Sequence, residues 1–426
     1  MTCNHALLLS LFLTTLTSCG QKMQVAGNDP VCTVEVGPNI GIAASARLPV
    51  VEPHIAAHPT DNDHLLAAAM VVTDITRPYE SCRLISFVSA DGGLRWTETL
   101  HDWWGYDPWL AIRNDGATVL SWIGTKGSFQ NQYPINFLQS GDGGKTWSDQ
   151  VQTVDGGYDG TKLIVSNGDF YFTTVHFDDQ MGADVVLMRK AGQRPFAEVA
   201  RIKSKGSRLN FCEPAALANG TVLVPAIREG KEVWVQRYDP KSGTLSAAVT
   251  ISRRTRFRGY AHLIADANEG SLFRDRVYFV RAHSGGDGGV LVNVSRDGGQ
   301  TWSDDVRADL FDKAGKSNAL VANAAVNTKG VLGISWVDSR RDPFGGKSEL
   351  WFAASRDGGT TFSAPVVVSD VSSDPRTPAN DDVANKFPGG GHYLGIAASP
   401  DGSFHVIWSD SRSGVFSLQT SRVKVQ

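Results

Sequence analysis

Carboxyl, phenol, imidazole and guanidinium side chains gather at recurring points of this chain. Glu52, Asp107 and Glu213 each stand directly before a proline. His54, Tyr106, Tyr158 with Asp159, Arg258 with Tyr260 and His262, and His392 with Tyr393 fall at matching points of other segments. A second group holds Asp74, His176, Arg228 with Glu229, Arg281 with His283, Asp338 with Arg340 and Arg341, and Asp410 with Arg412. Carboxyls and tyrosines supply proton donors, bases and nucleophiles. Guanidinium forks grip a carboxylate bidentately. A His or Tyr base beside a cation that masks a carboxylate can remove the neighbouring proton. Each group also has a plainer role. The Glu-Pro and Asp-Pro pairs suit turns at strand starts. Trp336-Val-Asp338-Ser-Arg340 and Trp408-Ser-Asp410-Ser-Arg412 are near-copies, which argues for a structural Asp–Arg pair. Tyr260, His262, His176 and Arg281 do not recur and are the better candidates for function.

The elements that must position these residues repeat. Small-apolar runs begin at Glu52, Asp107, Asp159, Glu213, Tyr260, Asn318 and His392. Each is followed by a β-rich segment such as Val119–Ile123, Phe170–Thr174, Val222–Ala226, Val277–Arg281 or Phe404–Trp408. Short strands separated by Gly, Asp and Asn turns, at a period of about 50 residues, read as an all-β fold of repeated four-stranded sheets. In phase with them run four copies of S-x-D-G-G-x-[TR]-[WF], at Ser89–Trp96, Ser140–Trp147, Ser295–Trp302 and Ser355–Phe362. The Gly pair supplies positive φ, the Asp carboxylate collects backbone N–H groups, and the aromatic packs back under the turn. Arg189–Phe196 and Tyr238–Leu245 are expected to be degenerate copies in the long gap.

The motif resembles the Asp-box, or BNR repeat, of sialidase-superfamily β-propellers, and the resemblance spans nearly all of the chain after its N-terminal leader. It implies four-stranded blades around an axis, with inner strands and second-to-third-strand loops converging on one face. Seven inner runs against six outer turns predict seven blades, the last completed by the N-terminal strand Val31–Val36; six blades are the alternative. Ala46-Arg47-Leu48-Pro49 is similar to the family motif that carries the first of three substrate arginines, with Ala46 in place of its aromatic. Arg228 and Arg281 stand where the other two are expected. Tyr260 or Tyr393 with Glu213 is the implied nucleophile and base, with Asp107, His262 and His176 as further catalytic candidates. Arg340, Arg412, Tyr393 and His392 are candidate substrate contacts. The reading is an exo-sialidase-like glycoside hydrolase. A uronate lyase built on His176, Tyr260, His262 and Arg281 is a second reading. A non-catalytic propeller that binds a glycan or a protein is a third, with Trp103, Trp104 and Trp109 as stacking platforms or core.

The partner expected on these grounds is a carbohydrate, met by a monomer with no cofactor. A net charge of −3 offers no electrostatic case for nucleic acid. No cysteine pair has zinc-ligand spacing, so no metal is expected. Residues 6–16 are an apolar stretch of signal-peptide length. Leu16-Thr17-Ser18-Cys19 resembles the bacterial lipobox, which implies lipidation at Cys19 and an outer-membrane lipoprotein; an ordinary cleaved signal is the alternative. Residues 1–19 are thus read as leader, 20–30 as a flexible tether and 31–426 as the propeller. A bridge between Cys32 and Cys82 would suit an exported chain.

Overall fold

The computed structural model describes residues 32–42, 44, 47–77, 80–124, 133–177, 182–284, 288–310, 317–342 and 344–426. The leader, the tether and Cys19 lie outside them. Among the described residues the fold is all-β, with one short helix, Asp381–Lys386, and a 3-10 turn at Pro388–Gly390. Its sheets are antiparallel, and apart from the N-terminal strands their strands follow one another in chain order.

The first sheet holds Val50–Ala57, Leu65–Val72, Cys82–Ser89 and Thr97–Trp104. The second has seven strands, because Gln152–Ser166 belongs to two four-strand units. Residues 152–154 pair with Tyr133–Ser140, and residues 162–166 pair with Asp169–Phe177. Further units begin at Ala215, Phe257, Ala319 and Gly395. In the last, Gly395–Ala398, Phe404–Asp410 and Ser417–Val425 are joined by the N-terminal strand Val34–Val36, with Val34 opposite Val425. That strand covers what would otherwise be a bare sheet edge.

The innermost strands touch in a cycle. Val50–Ala57 lies against Tyr106–Ile112, which lies against Gln152–Ser166. The contacts continue through Ala215–Ala216, Phe257–Ala265, Ala319–Val326 and Gly395–Ala398, and return to Val50–Ala57. Apolar layers fill the space between neighbouring units, as where Tyr278 and Val292 of one meet Ile334 and Trp336 of the next. The last unit meets the first through Ile407 and Leu418 against Ala67 and Ile85. Each sheet is therefore apolar on both faces, and a second strand such as Leu65–Val72 is buried throughout. This is why the segments read as continuous apolar runs and not as clean alternation.

The four Gly-Gly turns have one geometry. In each, the Ser hydroxyl bonds the Asp carboxylate and accepts the second Gly N–H, as with Ser140, Asp142 and Gly144 at 2.7 and 2.8 Å. The other Asp oxygen takes the Thr hydroxyl in three of them. Asp142 is drawn down to about 2: its slight burial works the other way, and the bonds from Thr146 and Ser140 prevail. Arg189–Phe196 and Tyr238–Leu245 form the corresponding third-to-fourth-strand connections. Cys82 sits in the layer with Val51 and Met70, and Cys32 packs beside Val423 in another, so the expected bridge between the two does not form.

Candidate functional site

Five inner strands shift register, and in four of them a positive-φ residue sits at the break. These four breaks lie between Val51 and His54, Tyr106 and Trp109, Asp159 and Lys162, and Arg258 and His262. The positive-φ residues are Glu52 at 54°, Asp107 at 53°, Gly160 at 67° and Gly259 at 67°. These are β-bulges, which re-aim a side chain out of the pairing pattern. A non-glycine residue in this region costs about 1–3 kcal/mol, so Glu52 and Asp107 are held there by their surroundings. The following prolines, Pro53 and Pro108, occupy positions the ladder skips, where a missing N–H forfeits nothing. The Glu-Pro and Asp-Pro pairs are thus backbone devices that also turn carboxyls toward the centre.

There they line a cavity of about 250 Å³. Its polar wall is Glu52, Asp107, Asp159, Tyr106, Tyr133, Tyr260 and His392; Met70, Ile123 and Phe387 supply the apolar part. Glu52 is buried and accepts two bonds from His392, from the backbone N at 3.0 Å and Nδ1 at 2.8 Å. His392 is clamped from the other side by the Tyr260 N–H, which donates to its carbonyl at 2.8 Å. The fit allows only glycine beside it: a Cβ on Gly391 would stand 2.3 Å from Glu52 Cγ.

Burial lifts Asp107 well above the ordinary carboxylate range, helped by the charge and hydrogen bond of Glu52 and opposed by Lys162. Burial also pushes Glu52 up, but the hydrogen bond and charge of His392 outweigh it, so Glu52 is lowered. The Glu52 bond in turn raises His392. The two carboxyls are therefore pushed apart, Asp107 toward the acid form and Glu52 toward the anion. Asp159 is raised by burial, against the pull of Arg208 and Lys162.

Beneath the cavity Lys162 is almost fully buried, with Nζ 3.7 Å from the Trp109 ring centroid, 4.0 Å from Tyr393 and 4.5 Å from Tyr260. Burial lowers its amine to about 8, while Asp107, Glu213, Glu52 and Asp159 resist. Glu213 meets His262 Nδ1 at 2.7 Å, and the buried His262 Nε2 has no hydrogen-bond partner among the described residues. His54 stacks on Trp109 at 3.9 Å and accepts the Leu110 N–H.

Of the residues singled out from sequence, Glu52, Tyr106, Asp107, Asp159, Tyr260 and His392 line this cavity, and Glu213 with His262 sits near Lys162. Tyr393 is buried under it as a ring against Lys162. The others lie apart. His176 pairs with Arg201 and the Tyr158 ring. Arg228 faces Glu232 at 3.5 Å. Arg281 is fully buried between Asp305 and Asn293. Arg340 is bound by Asp338 and Asp309, and Arg412 by Asp410 and Asp370. Arg47 is exposed ahead of the first inner strand. Sequence reasoning did not single out Lys162 or Tyr133. The signal for Lys162 was a lone cation inside an otherwise apolar inner run.

No protein-family model and no curated protein matches the chain. Solved structures do. An α-L-arabinofuranosidase from Fusarium graminearum, in complex with an iminosugar inhibitor, superposes with a TM-score of 0.50 at 12% identity, over 91% of this chain and 97% of that one. A sialidase from Trypanosoma rangeli, in complex with 2,3-difluorosialic acid, gives 0.50 at 13% identity, over 79% of this chain and 60% of that one. A protein of unknown function from Dyadobacter fermentans is similar at 15% identity, with a TM-score of 0.48. At such identities the likeness is one of fold, and the chain has the all-β, propeller-type architecture found among glycosidases.

Proposed function

We propose that this chain is an exported seven-bladed propeller that hydrolyses the bond to a terminal, uncharged sugar held in the cavity at Asp107. The observation that carries the reading is the Glu52–Asp107 pair, one carboxyl pushed up and its neighbour held down, at the wall of a cavity with three tyrosines. Carboxyls driven apart in this way mark an acid and its counter-charge. Asp107 donates its proton to the departing oxygen as the glycosidic bond breaks, a water adds to the ring carbon and returns a proton to Asp107, and the charge of Glu52 keeps Asp107 protonated between turnovers. Asp159 and Tyr260 face the same space and receive the positive charge that develops on the ring. About 250 Å³ is less than drug-sized sites usually offer, which suits one ring and so a chain end.

The sialidase form of the reading calls for arginines around a substrate carboxylate. None of Arg47, Arg228, Arg281, Arg340 and Arg412 lines the cavity among the described residues, and the last four are engaged with acidic partners. An acid-lined cavity favours a neutral ring over a sialic acid or a uronate. Seven blades are supported by the seven inner strands in cyclic contact and by Val34–Val36 beside the last sheet. Export and a lipid on Cys19 are supported by the leader sequence alone.

The test is release of an aryl leaving group from a panel of neutral pentosides and hexosides, with sialosides and uronides alongside. Turnover of a neutral glycoside that falls by about 10²-fold or more in Asp107→Asn is expected. Turnover confined to sialosides, or binding of sugars with no turnover, overturns the reading.

A further inference from the structure

Four carboxyls converge on Lys162, and none makes a contact ion pair with it among the described residues. The ammonium is instead held on the faces of Trp109, Tyr393 and Tyr260. Each ring lies well within cation–π reach, and such contacts gain strength when desolvated. The groups whose charges act with it come from different inner strands. They are Asp107, Glu213, Glu52 and Asp159, the imidazoles of His54 and His392, and the Cys212 thiol.

This arrangement has a chemical point. Carboxyls crowded together in a buried mouth repel one another and take up protons until the charge is tolerable. A lysine salt-bridged to one of them would relieve the repulsion but would occupy that carboxyl's oxygens. An ammonium seated on ring faces relieves it through space and leaves the oxygens to substrate and to proton transfer.

We propose that Lys162 is a positioning residue of this cavity: seated on three ring faces, its ammonium is the counter-charge that holds the Glu52–Asp107 pair at one net negative charge. The inference deepens the hydrolytic reading and rests on it for its purpose, but its test needs no substrate. Burial places the amine at about 8, so the device works at neutral pH and fails above it. The neighbouring carboxyls and His392 then all rise, because the positive field that opposed their protonation is gone.

The experiment is a side-chain ¹³C NMR titration of the full chain, labelled at lysine Cε and at Asp and Glu carboxyls. Wild type, Lys162→Arg and Lys162→Met are compared, with Asp107→Asn to assign the Asp107 signal. One lysine titrating near 8 is expected in the wild type and missing from both lysine variants. The Asp107 carboxyl should titrate about one unit higher in Lys162→Met and return to its wild-type position in Lys162→Arg. A Lys162→Met chain that unfolds more easily but leaves every carboxyl titration unmoved overturns the proposal, because a purely structural plug would do that. Should Lys162→Met fail to fold, the wild-type lysine titration decides: no lysine near 8 is also an overturning result. Anomalous titrations with no sugar hydrolysis sink the hydrolase and spare the counter-charge; hydrolysis with ordinary titrations does the reverse.

Discussion

Glu52 and Asp107 form one unit with two roles. The negative charge of Glu52 is among the forces that keep the proton on Asp107. An acid of this kind works while protonated, so activity should decline as pH rises through the raised value of Asp107. Glu52→Gln removes the neighbouring charge, and Asp107 then loses its proton more easily. The alkaline limb of the rate profile should move down by about one unit or more, read as kcat/KM against pH. An unmoved limb would assign it to another group. The sequence displayed both residues, and their Pro neighbours marked them as special. It could not display that the backbone strain and the chemistry share a cause, since that follows from the register break. Lys162 escaped notice for a similar reason. A single lysine in an apolar run has no pattern, and only the three rings brought in by distant strands give it meaning.

The turns are the most legible parts of the chain. All four Ser-x-Asp-Gly-Gly copies fold alike, and the two degenerate copies occupy the expected connections. Less legible is what each turn touches. The second glycine presses on the preceding unit: a Cβ on Gly144 would meet Leu66 at 2.4 Å, one on Gly299 Leu223 at 2.6 Å, and one on Gly359 Val294 at 2.8 Å. The first turn leans on the last unit, where Gly93 nears His405. The repeat is therefore inter-sheet glue as much as a hairpin. Gly144→Ala should destabilise by about 1–3 kcal/mol through its φ of +79° and the contact with Leu66. Gly141→Ala in the same turn, with open space around it and ordinary φ, should be close to neutral. Urea unfolding of the two variants separates the effects.

For the chain entire, the arginines are the clearest divergence between sequence and structure. Their types suggested a carboxylate clamp, yet Arg281, Arg340 and Arg412 tie strand ends to acidic neighbours. Only tertiary placement separates a clamp from a tie. Buried imidazoles give the molecule a pH dependence of its own. Burial, aided by Arg422, brings His405 down to about 4, and His54 is lowered too. The unfolded chain takes up these protons near 6.5 and the folded one does not, so stability is complete above that value. It falls as pH drops toward 4, by about 3 kcal/mol for His405 alone. Melting temperature should decline between pH 7 and pH 5, and His405→Gln should flatten the slope; an equal slope in that variant removes His405 as its source. Finally, Glu35 and Gln426 meet across 391 residues of chain. A ribosome adding about 5–20 residues per second needs roughly 20–80 s between making one partner and the other. Through that interval the strand Val34–Val36 waits without its mate, so the sheet it completes cannot form until Ser417–Val425 has been made.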